Sequence, residues 1–289
     1  MASNFRRYSY KELVKATRKF KDELGRGGSG IVYKGILDDG RAVAVKMLEN
    51  IRHCDEEFQA ELRVIGRINH MNLVRIWGFC SESPYRMLIT EYIENGSLAD
   101  ILFKDNILLE WKQRFNIALG VAKGLAYLHH ECLEWVIHCD VKPENILLDQ
   151  NLEPKIADFG LAKLLNRGGS KWISSLQITA KVDVYSYGVV LLELVLGRQV
   201  LDLAIDANEE VHKVLRELVG MLAQMVDGEQ PSSINEVVDH RLSGHFNDTQ
   251  VRTLIRLAVS CLDEERSKRP TMESVVQTLL LADESCSMR

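Results

Sequence analysis

Three polar residues in the middle of the chain stand at spacings that suit phosphoryl transfer. Asp140 and Asn145 are five positions apart, and Asp158 follows thirteen positions later, at the start of an Asp-Phe-Gly run. A carboxylate such as Asp140 can orient a hydroxyl and accept its proton, whereas an amide and a second carboxylate offer oxygen ligands for Mg²⁺. An isolated His-x-Asp is common, but the whole combination is not. It predicts a catalytic loop followed by a metal-binding loop.

A glycine-rich segment near the amino terminus has the pattern G-x-G-x-x-G-x-V. The pattern alone also fits a dinucleotide site or a flexible turn, but the dinucleotide version needs a helix after the glycines. Residues 31–36 are instead strand-like, which favours a loop that covers nucleotide phosphates. The predicted nucleotide-binding residues here are Leu24, Gly25, Arg26, Gly27, Gly28, Ser29, Gly30, Ile31 and Val32.

Lys46 lies in a strand-like apolar run, Val-Ala-Val-Lys, where a lysine is unusual. It either snorkels at a sheet edge or binds phosphate, and the run favours phosphate binding. A helix predicted over residues 55–68 would place Glu61 beside its apolar face, as an ion-pair partner for Lys46. Glu56 and Glu57 remain alternative partners.

The remaining periodicity predicts an α+β fold in which a small sheet-rich half precedes a larger helical half. Asp39-Gly40 is a hairpin-turn signal within the first half. The first half has a predicted helix over residues 8–20, a strand–turn–strand over 24–37, and strands over 41–48, 73–79 and 86–92. The second half has predicted helices over residues 111–130, 181–196, 209–226 and 249–262.

Together these motifs resemble the eukaryotic protein kinases, and most closely the plant receptor-like serine/threonine kinases of the S-domain lectin type. The closer resemblance lies in the lead-in over residues 8–20, in Glu-Tyr-Ile-Glu-Asn-Gly-Ser-Leu from Glu91, and in Asp-Val-Tyr-Ser-Tyr-Gly-Val from Asp183. It implies a bilobal fold with one long helix in the small lobe. The implied boundaries are a lead-in at 1–17, a kinase domain at 18–282 with an N-lobe at 18–92 and a C-lobe at 95–282, and a tail at 283–289.

The resemblance also implies roles for residues around the nucleotide. Thr90 would be the gatekeeper, and the backbone of Glu91 and Ile93 would contact the adenine. Val32, Ala44 and Leu147 would enclose the ring. Asp183 would brace the catalytic loop.

The implied chemistry uses ATP and Mg²⁺, with Asn145 and Asp158 as metal ligands. The implied catalytic residues are Asp140, Lys142, Lys46 and Glu61. Lys142, two positions after Asp140, matches the serine/threonine class rather than the tyrosine class. The substrate would be a protein serine or threonine, and other receptor kinases are candidate partners.

Two departures from the family pattern bear on activity. Cys139 stands where most kinases have the arginine that pairs with an activation-loop phosphate, as in the "non-RD" receptor kinases. No Ala-Pro-Glu follows Asp158, and roughly 20 residues are absent between Ser170 and Trp172 relative to the family. Arg269 would therefore lose its expected glutamate partner, and we expect it to turn to solvent or meet another carboxylate.

Bulk properties narrow the remaining choices. A net charge of −5 gives no overall electrostatic case for nucleic acid, and the six cysteines are scattered without a paired motif. No apolar run approaches the ~20 residues that span a bilayer. We expect a cytoplasmic chain, on the cytosolic face of the plasma membrane if it belongs to a longer receptor-like protein. The functional hypotheses are a serine/threonine kinase or, alternatively, an ATP-binding pseudokinase scaffold or truncated product that phosphorylates peptides poorly because its activation segment is incomplete.

Overall fold

A computed structural model describes residues 5–28, 30–48, 62, 65–132, 135–158, 163–165, 179–207, 210–227 and 234–287. The chain divides into two compact units, unit 1 (Met1–Glu94) and unit 2 (Asn95–Arg289). Unit 1 is built on a sheet and unit 2 mainly on helices, which confirms the predicted α+β class. Among the described residues, no helix is long and apolar enough to cross a bilayer.

Unit 1 contains a six-stranded sheet in the order β1-β5-β6-β4-β3-β2. Adjacent strands of this sheet are antiparallel, except that β1 and β5 run parallel. The strands are β1 (Arg6–Arg7), β2 (Glu23–Gly27), β3 (Gly30–Ile36), β4 (Ala42–Leu48), β5 (Ile76–Glu82) and β6 (Tyr85–Glu91). One helix, α1 (Tyr10–Ala16), precedes β2.

The core of unit 1 lies between α1 and one face of the sheet. Val43 and Val45 on β4 and Ile89 on β6 are fully buried and pack with Leu13 of α1. Helix α1 begins with a capping box, in which the Ser9 hydroxyl accepts from the Glu12 N–H and the Glu12 carboxylate accepts from the Ser9 N–H. Because side chains alternate along a strand, the buried Val43 and Val45 lie on one face of β4, and Ala44 and Lys46 lie on the other.

Two predicted boundaries in unit 1 were wrong. Helix α1 ends at Ala16 rather than Phe20, because the Thr17 hydroxyl bonds the Leu13 carbonyl at 2.7 Å and the next three residues adopt left-handed backbone. Strand β5 begins at Ile76 rather than Leu73. Leu73 and Val74 are apolar and buried although they precede the strand, and burial alone does not make a strand.

Unit 2 combines helices with two small antiparallel strand pairs. The helices are α2 (Leu98–Leu102), α3 (Trp111–Ala126), α4 (Lys181–Leu196), α5 (Val200–Ala207), α6 (Val211–Asp227), α7 (Ile234–Val237), α8 (Asp248–Cys261) and α9 (Met272–Ser287). The strand pairs are β7 (Trp135–Ile137) with β10 (Lys163–Leu165), and β8 (Ile146–Leu148) with β9 (Pro154–Ile156).

Helix α4 is the central helix of unit 2 and spans the predicted residues. It packs against α8 at Gly188, where an added Cβ would lie 2.9 Å from the Cβ of Cys261. Glycine therefore permits the close approach of the two helices. Helix α3 ends earlier than predicted, and the chain continues as a π-helical turn over Tyr127–Glu131.

Candidate active site

One face of the unit 1 sheet collects four of the predicted nucleotide-binding side chains. In the strand register, Lys46 is paired with Val32 of β3, and Ala44 is paired with Thr90 of β6. Directly paired residues of antiparallel strands project to the same face, and Ala44 and Lys46 are two positions apart on β4. Val32, Ala44, Lys46 and Thr90 therefore share the face opposite to α1.

The glycines between positions 25 and 30 have two different physical roles. Gly30 has a φ of +136°, and an added Cβ would lie 2.0 Å from the carbonyl oxygen of Met47, so the neighbouring strand itself requires glycine there. An added Cβ at Gly25, Gly27 or Gly28 would meet nothing within 4 Å. The space over these three glycines leaves the backbone accessible to a ligand such as a phosphate chain.

The end of β6 is fixed by a reciprocal contact between two residues. The Glu91 N–H donates to the Arg75 carbonyl at 2.9 Å, and the Glu91 carboxylate accepts from the Arg75 N–H at 2.8 Å. Ile93 follows with a buried side chain, while Leu24 on β2 is 45% exposed. Leu24 and Arg26 both lie on β2, the exposed outer strand. Arg26 forms a 3.1 Å ion pair with Glu23.

Several predicted residues lie outside the described part of the chain. They include Glu61 and its rivals Glu56 and Glu57, so the ion pair expected for Lys46 stays a prediction. Ser29 of the glycine segment and the phenylalanine and glycine after Asp158 also fall outside it, as does the interval between Ser170 and Trp172.

Unit 2 brings together Asp140, Lys142 and Asn145. The Asn145 amide donates to the Asp140 carbonyl and to Asp140 Oδ2, both at 2.8 Å, and the Lys142 ammonium lies 2.9 Å from the same Oδ2. Because both donations come from the amide nitrogen, Oδ1 of Asn145 is directed away from Asp140. An amide oxygen in that orientation suits a hard cation such as Mg²⁺.

The strand pair β8-β9 sets the relative positions of Asn145 and Asp158. A 3₁₀ turn at Pro143–Asn145 leads directly into β8, and the Ala157 N–H donates to the Asn145 carbonyl at 2.8 Å. Asn145 and Asp158 therefore lie at the same end of the pair, with Asp158 in left-handed backbone at φ +65°. A half-buried Leu147 lies on β8, opposite Lys155.

A buried carboxylate on α4 holds the backbone just before Asp140. Asp183 Oδ2 accepts from the His138 N–H and Oδ1 accepts from the Cys139 N–H, both at 2.8 Å. The imidazole of His129 contacts the same Oδ2 at 2.8 Å. Asp183 is fully buried, and these three contacts satisfy a carboxylate that would otherwise be costly to bury.

The hydrogen bonds of His138 define its tautomer. Its Nδ1 accepts from the Asp140 N–H at 3.3 Å, so the proton lies on Nε2, which donates to the Ala157 carbonyl at 2.9 Å. Burial lowers the pKa of His138, which keeps the ring neutral. This neutral imidazole connects the loop of Asp140 to the residue before Asp158.

We expected Arg269 to turn to solvent or to pair with another carboxylate. Instead it is buried, and within the described residues its hydrogen bonds go to backbone carbonyls. Its Nε donates to the Asp263 carbonyl at 2.8 Å and its Nη1 to the Lys181 carbonyl at 3.0 Å, while the guanidinium lies 4.7 Å from the Tyr185 ring centroid. The Lys181 ammonium in turn donates to the carbonyls of Arg269 and Pro270. Backbone carbonyls therefore take the place of the expected anion.

Sequence reasoning assigned no role to His129 or Glu193, which are buried polar residues of unit 2. The role of His129 has no local signal in the sequence, because its contact with Asp183 spans 54 positions. Glu193 on α4 is buried, its Oε1 accepts from the Val200 N–H at 3.1 Å, and its Oε2 has no hydrogen-bond partner in the part of the chain that the structure describes. A charged residue in the apolar run of α4 was the available signal for Glu193.

Comparison with known proteins identifies the family. Residues 18–281 match the family described as "Protein kinase domain". ZmPK1 of Zea mays, named as a receptor protein kinase, is 68% identical over 302 residues, which cover 98% of this chain and 37% of that protein. The G-type lectin S-receptor-like serine/threonine-protein kinases At2g19130 and SD2-5 of Arabidopsis thaliana are 46% and 43% identical, each over 94% of this chain and 34% of their own length.

The chain thus spans little more than a third of the curated relatives it matches. The match nevertheless covers both the sheet unit and the helical unit described above. On this evidence the chain belongs to the protein kinase family, has its bilobal fold, and is similar to plant receptor kinases.

Proposed function

We propose that this chain is an ATP- and Mg²⁺-dependent protein kinase that transfers the γ-phosphate of ATP to serine or threonine hydroxyls. The observation that supports it best is the joint orientation of Asp140 by Asn145 and Lys142, on a loop held by the buried carboxylate of Asp183. Phosphoryl transfer depends mainly on positioning and electrostatics, and this arrangement supplies a positioned base.

In this proposal Asp140 orients the attacking hydroxyl and accepts its proton. Its Oδ2 is already bonded to Asn145 and Lys142, so Oδ1 is the oxygen that would face the hydroxyl. The Lys142 ammonium would remain near the transferred phosphoryl group and offset its negative charge. The serine/threonine specificity rests on Lys142 in this position and on the names of the relatives.

Unit 1 offers the residues that we propose contact the nucleotide. In unit 1, the open backbone over Gly25, Gly27 and Gly28 would receive phosphates, and Lys46 would neutralise them. Thr90, the backbone of Glu91 and Ile93, and the apolar groups of Leu24, Ile31, Val32 and Ala44 would contact the base.

Asn145 Oδ1 and the Asp158 carboxylate fit a Mg²⁺ site. Magnesium favours oxygen ligands and commonly takes only one or two carboxylates from the protein, with phosphates and water completing its shell. When bound it would neutralise charge on the β- and γ-phosphates. The chain's own contribution is to hold the two oxygens at one end of the β8-β9 pair.

A second candidate function is an ATP-binding module that phosphorylates peptides poorly. The stretch aligned with ZmPK1 is 302 residues long, whereas the whole chain has 289, so the relative carries residues that this chain lacks. That difference favours the expected shortening between Ser170 and Trp172, in the region that would seat a peptide substrate.

Thermal melts and a peptide assay separate the two functions. Saturating Mg-ATP at about 100 times its dissociation constant should add about 2.7 kcal/mol of apparent stability, and Lys46→Met should remove that shift. Both functions predict the shift, so an unchanged melt would contradict both. Incorporation of ³²P into a serine peptide then decides between them.

The effect of the expected deletion is tested by inserting the corresponding segment of ZmPK1 after Ser170. If the shortening limits activity, peptide phosphorylation should rise while the ATP-induced thermal shift stays the same. Equal turnover with and without the insert would mean that another part of the chain seats the peptide. We further propose that the chain is the cytosolic part of a longer receptor-like protein, as the names of its relatives suggest.

A further inference from the structure

The charge of the chain is unevenly distributed. Residues 5–21 contain seven of the 36 lysines and arginines but only one of the 41 acidic residues, so this segment carries a net charge of +6. The whole chain carries −5, and the rest of it is correspondingly acidic at −11. Unit 1 therefore begins with a strongly basic segment, although the chain as a whole has a negative net charge.

Four of these basic side chains line one open groove, and together they are called the basic face. Lys11, Lys15, Arg18 and Lys19 are all exposed, and the groove has a volume of about 590 Å³. Val14, half-buried, is the apolar residue that lines it. On α1, Lys11 and Lys15 are four positions apart and so project from the same side of the helix.

A strained turn fixes the second half of the basic face. Arg18, Lys19 and Phe20 have φ values of 52°, 63° and 59°, a left-handed conformation that is unfavourable for residues with a side chain. The turn is held by the Phe20 ring, whose centroid lies 5.2 Å from that of Tyr33, and by a 2.7 Å hydrogen bond from the Lys19 N–H to the Val14 carbonyl. Arg18 and Lys19 therefore stand at defined positions, although they follow the end of the helix.

Nearby carboxylates only partly balance the basic face. Glu12 also lines the groove, but its carboxylate is engaged by Ser9 and by Arg6 at 3.0 Å. Lys15 lies 2.7 Å from Asp38, yet the two side chains are 71% and 76% exposed. An exposed pair of this kind is weak and is easily exchanged for another anion.

We propose that the basic face binds the surface of a bilayer that contains anionic lipids. Clustered basic residues are attracted to such a surface without needing a fixed geometry, which suits three ammonium groups on flexible stems. A protein partner would instead be expected to bury an aromatic or large aliphatic anchor, and Val14 offers little for that purpose. The acidic remainder of the chain would be repelled, so this face would turn toward the bilayer.

Liposome co-sedimentation with the whole chain tests the proposal without using kinase activity. We expect the chain to bind phosphatidylcholine vesicles that contain phosphatidylserine, and not vesicles of phosphatidylcholine alone. Replacing Lys11, Lys15, Arg18 and Lys19 together by glutamine should lower the partition coefficient by up to about a thousand-fold, at about 1 kcal/mol for each basic residue. Added salt should weaken binding of the unmodified chain, because exposed charges are screened.

A matched control removes the same number of exposed basic residues from unit 2. Lys112, Lys213, Arg216 and Lys268 replaced together by glutamine should leave vesicle binding within about two-fold, since the attraction depends on local clustering. Unchanged circular dichroism melts of both variants would show that they are folded. Equal loss in the two variants, or equal binding to neutral vesicles, would overturn the proposal. So would tighter binding to polyglutamate than to the anionic vesicles, which would indicate an acidic protein partner.

Discussion

The carboxylate of Asp183 accepts a hydrogen bond at 2.8 Å from the backbone N–H of Cys139, which has left-handed backbone at φ +67°. A cysteine in this conformation is strained, and the contact to a buried anion offsets the strain. Because Cys139 directly precedes Asp140, the contact determines the direction in which the proposed base leaves the loop. The His138 N–H bonded to the same carboxylate adds a second fixed point.

Asp183→Asn should therefore reduce both stability and phosphotransfer. An amide in place of the carboxylate has one acceptor oxygen for the donors that Asp183 now serves, so at least one buried N–H would lose its partner, at a cost of about 1–3 kcal/mol. Thermal melts and a peptide phosphorylation assay measure the two effects. Asp22→Asn, an exposed change just before β2, should alter neither. A fully active Asp183→Asn variant would show that the loop does not depend on this carboxylate.

Asp140→Asn should remove about 10²–10⁴-fold of any phosphotransfer while leaving the Mg-ATP thermal shift nearly intact, because Asp140 is proposed to act on the hydroxyl and not on the nucleotide. Turnover with one peptide at saturating ATP checks the first part, and melts check the second. Asp105→Asn serves as an exposed control. Equal rates in the Asp140 variant and the unmodified chain, once contaminating kinases are excluded, would rule out Asp140 as the base.

Glu193→Gln should make the chain more stable above pH 7. Burial, together with the nearby charges of Glu144 and Asp202, raises the pKa of Glu193 from 4.5 to about 7. The native state therefore binds more protons than the unfolded state between these values, and stability falls as pH rises through that window, by about 3 kcal/mol in all. Melts at pH 5 and pH 8 should show a gain for the variant only at pH 8. An equal difference at both values would contradict this origin.

Asp239→Asn should destabilise unit 2 by about 3–5 kcal/mol, because it leaves the fully buried Arg114 without its anion. Arg114 lies 2.5 Å and Arg241 2.7 Å from the Asp239 carboxylate. Burial by itself would raise the pKa of Asp239. Hydrogen bonds from Arg241 and Arg114 outweigh this effect and lower the pKa to about 2.

The acid stability of the Asp239 variant provides a separate check. The stabilisation from Asp239 is present above the unfolded value of 3.8 and is lost as pH falls through about 2. Urea unfolding at pH 7 and pH 2.5 should therefore show a smaller difference between the variant and the unmodified chain at the lower pH. Asp248→Asn, whose side chain is 57% exposed, is the matched control.

Local patterns in the sequence determined which residues could do chemistry and most of the elements that carry them. The spacing from Asp140 to Asn145 predicted a catalytic loop. Such a loop can be predicted from sequence because the 3₁₀ turn and β8 are formed by residues that are neighbours in the chain. The alternation along β4 likewise predicted a strand with Lys46 on one face, because side chains of a strand alternate between its faces. Helix α4 was predicted with its observed bounds, because it is a long, mostly apolar segment closed by Gly197.

Only the tertiary structure decided how those residues are held. The orientation of Cys139 depends on Asp183, 44 positions away, and Asp183 in turn depends on His129 from a π-helical turn that no periodicity indicated. Arg269 was expected to reach solvent or a carboxylate, yet it is held by backbone carbonyls. Such contacts join groups far apart in the chain, and their energies depend on burial and geometry that exist only once the helices have packed.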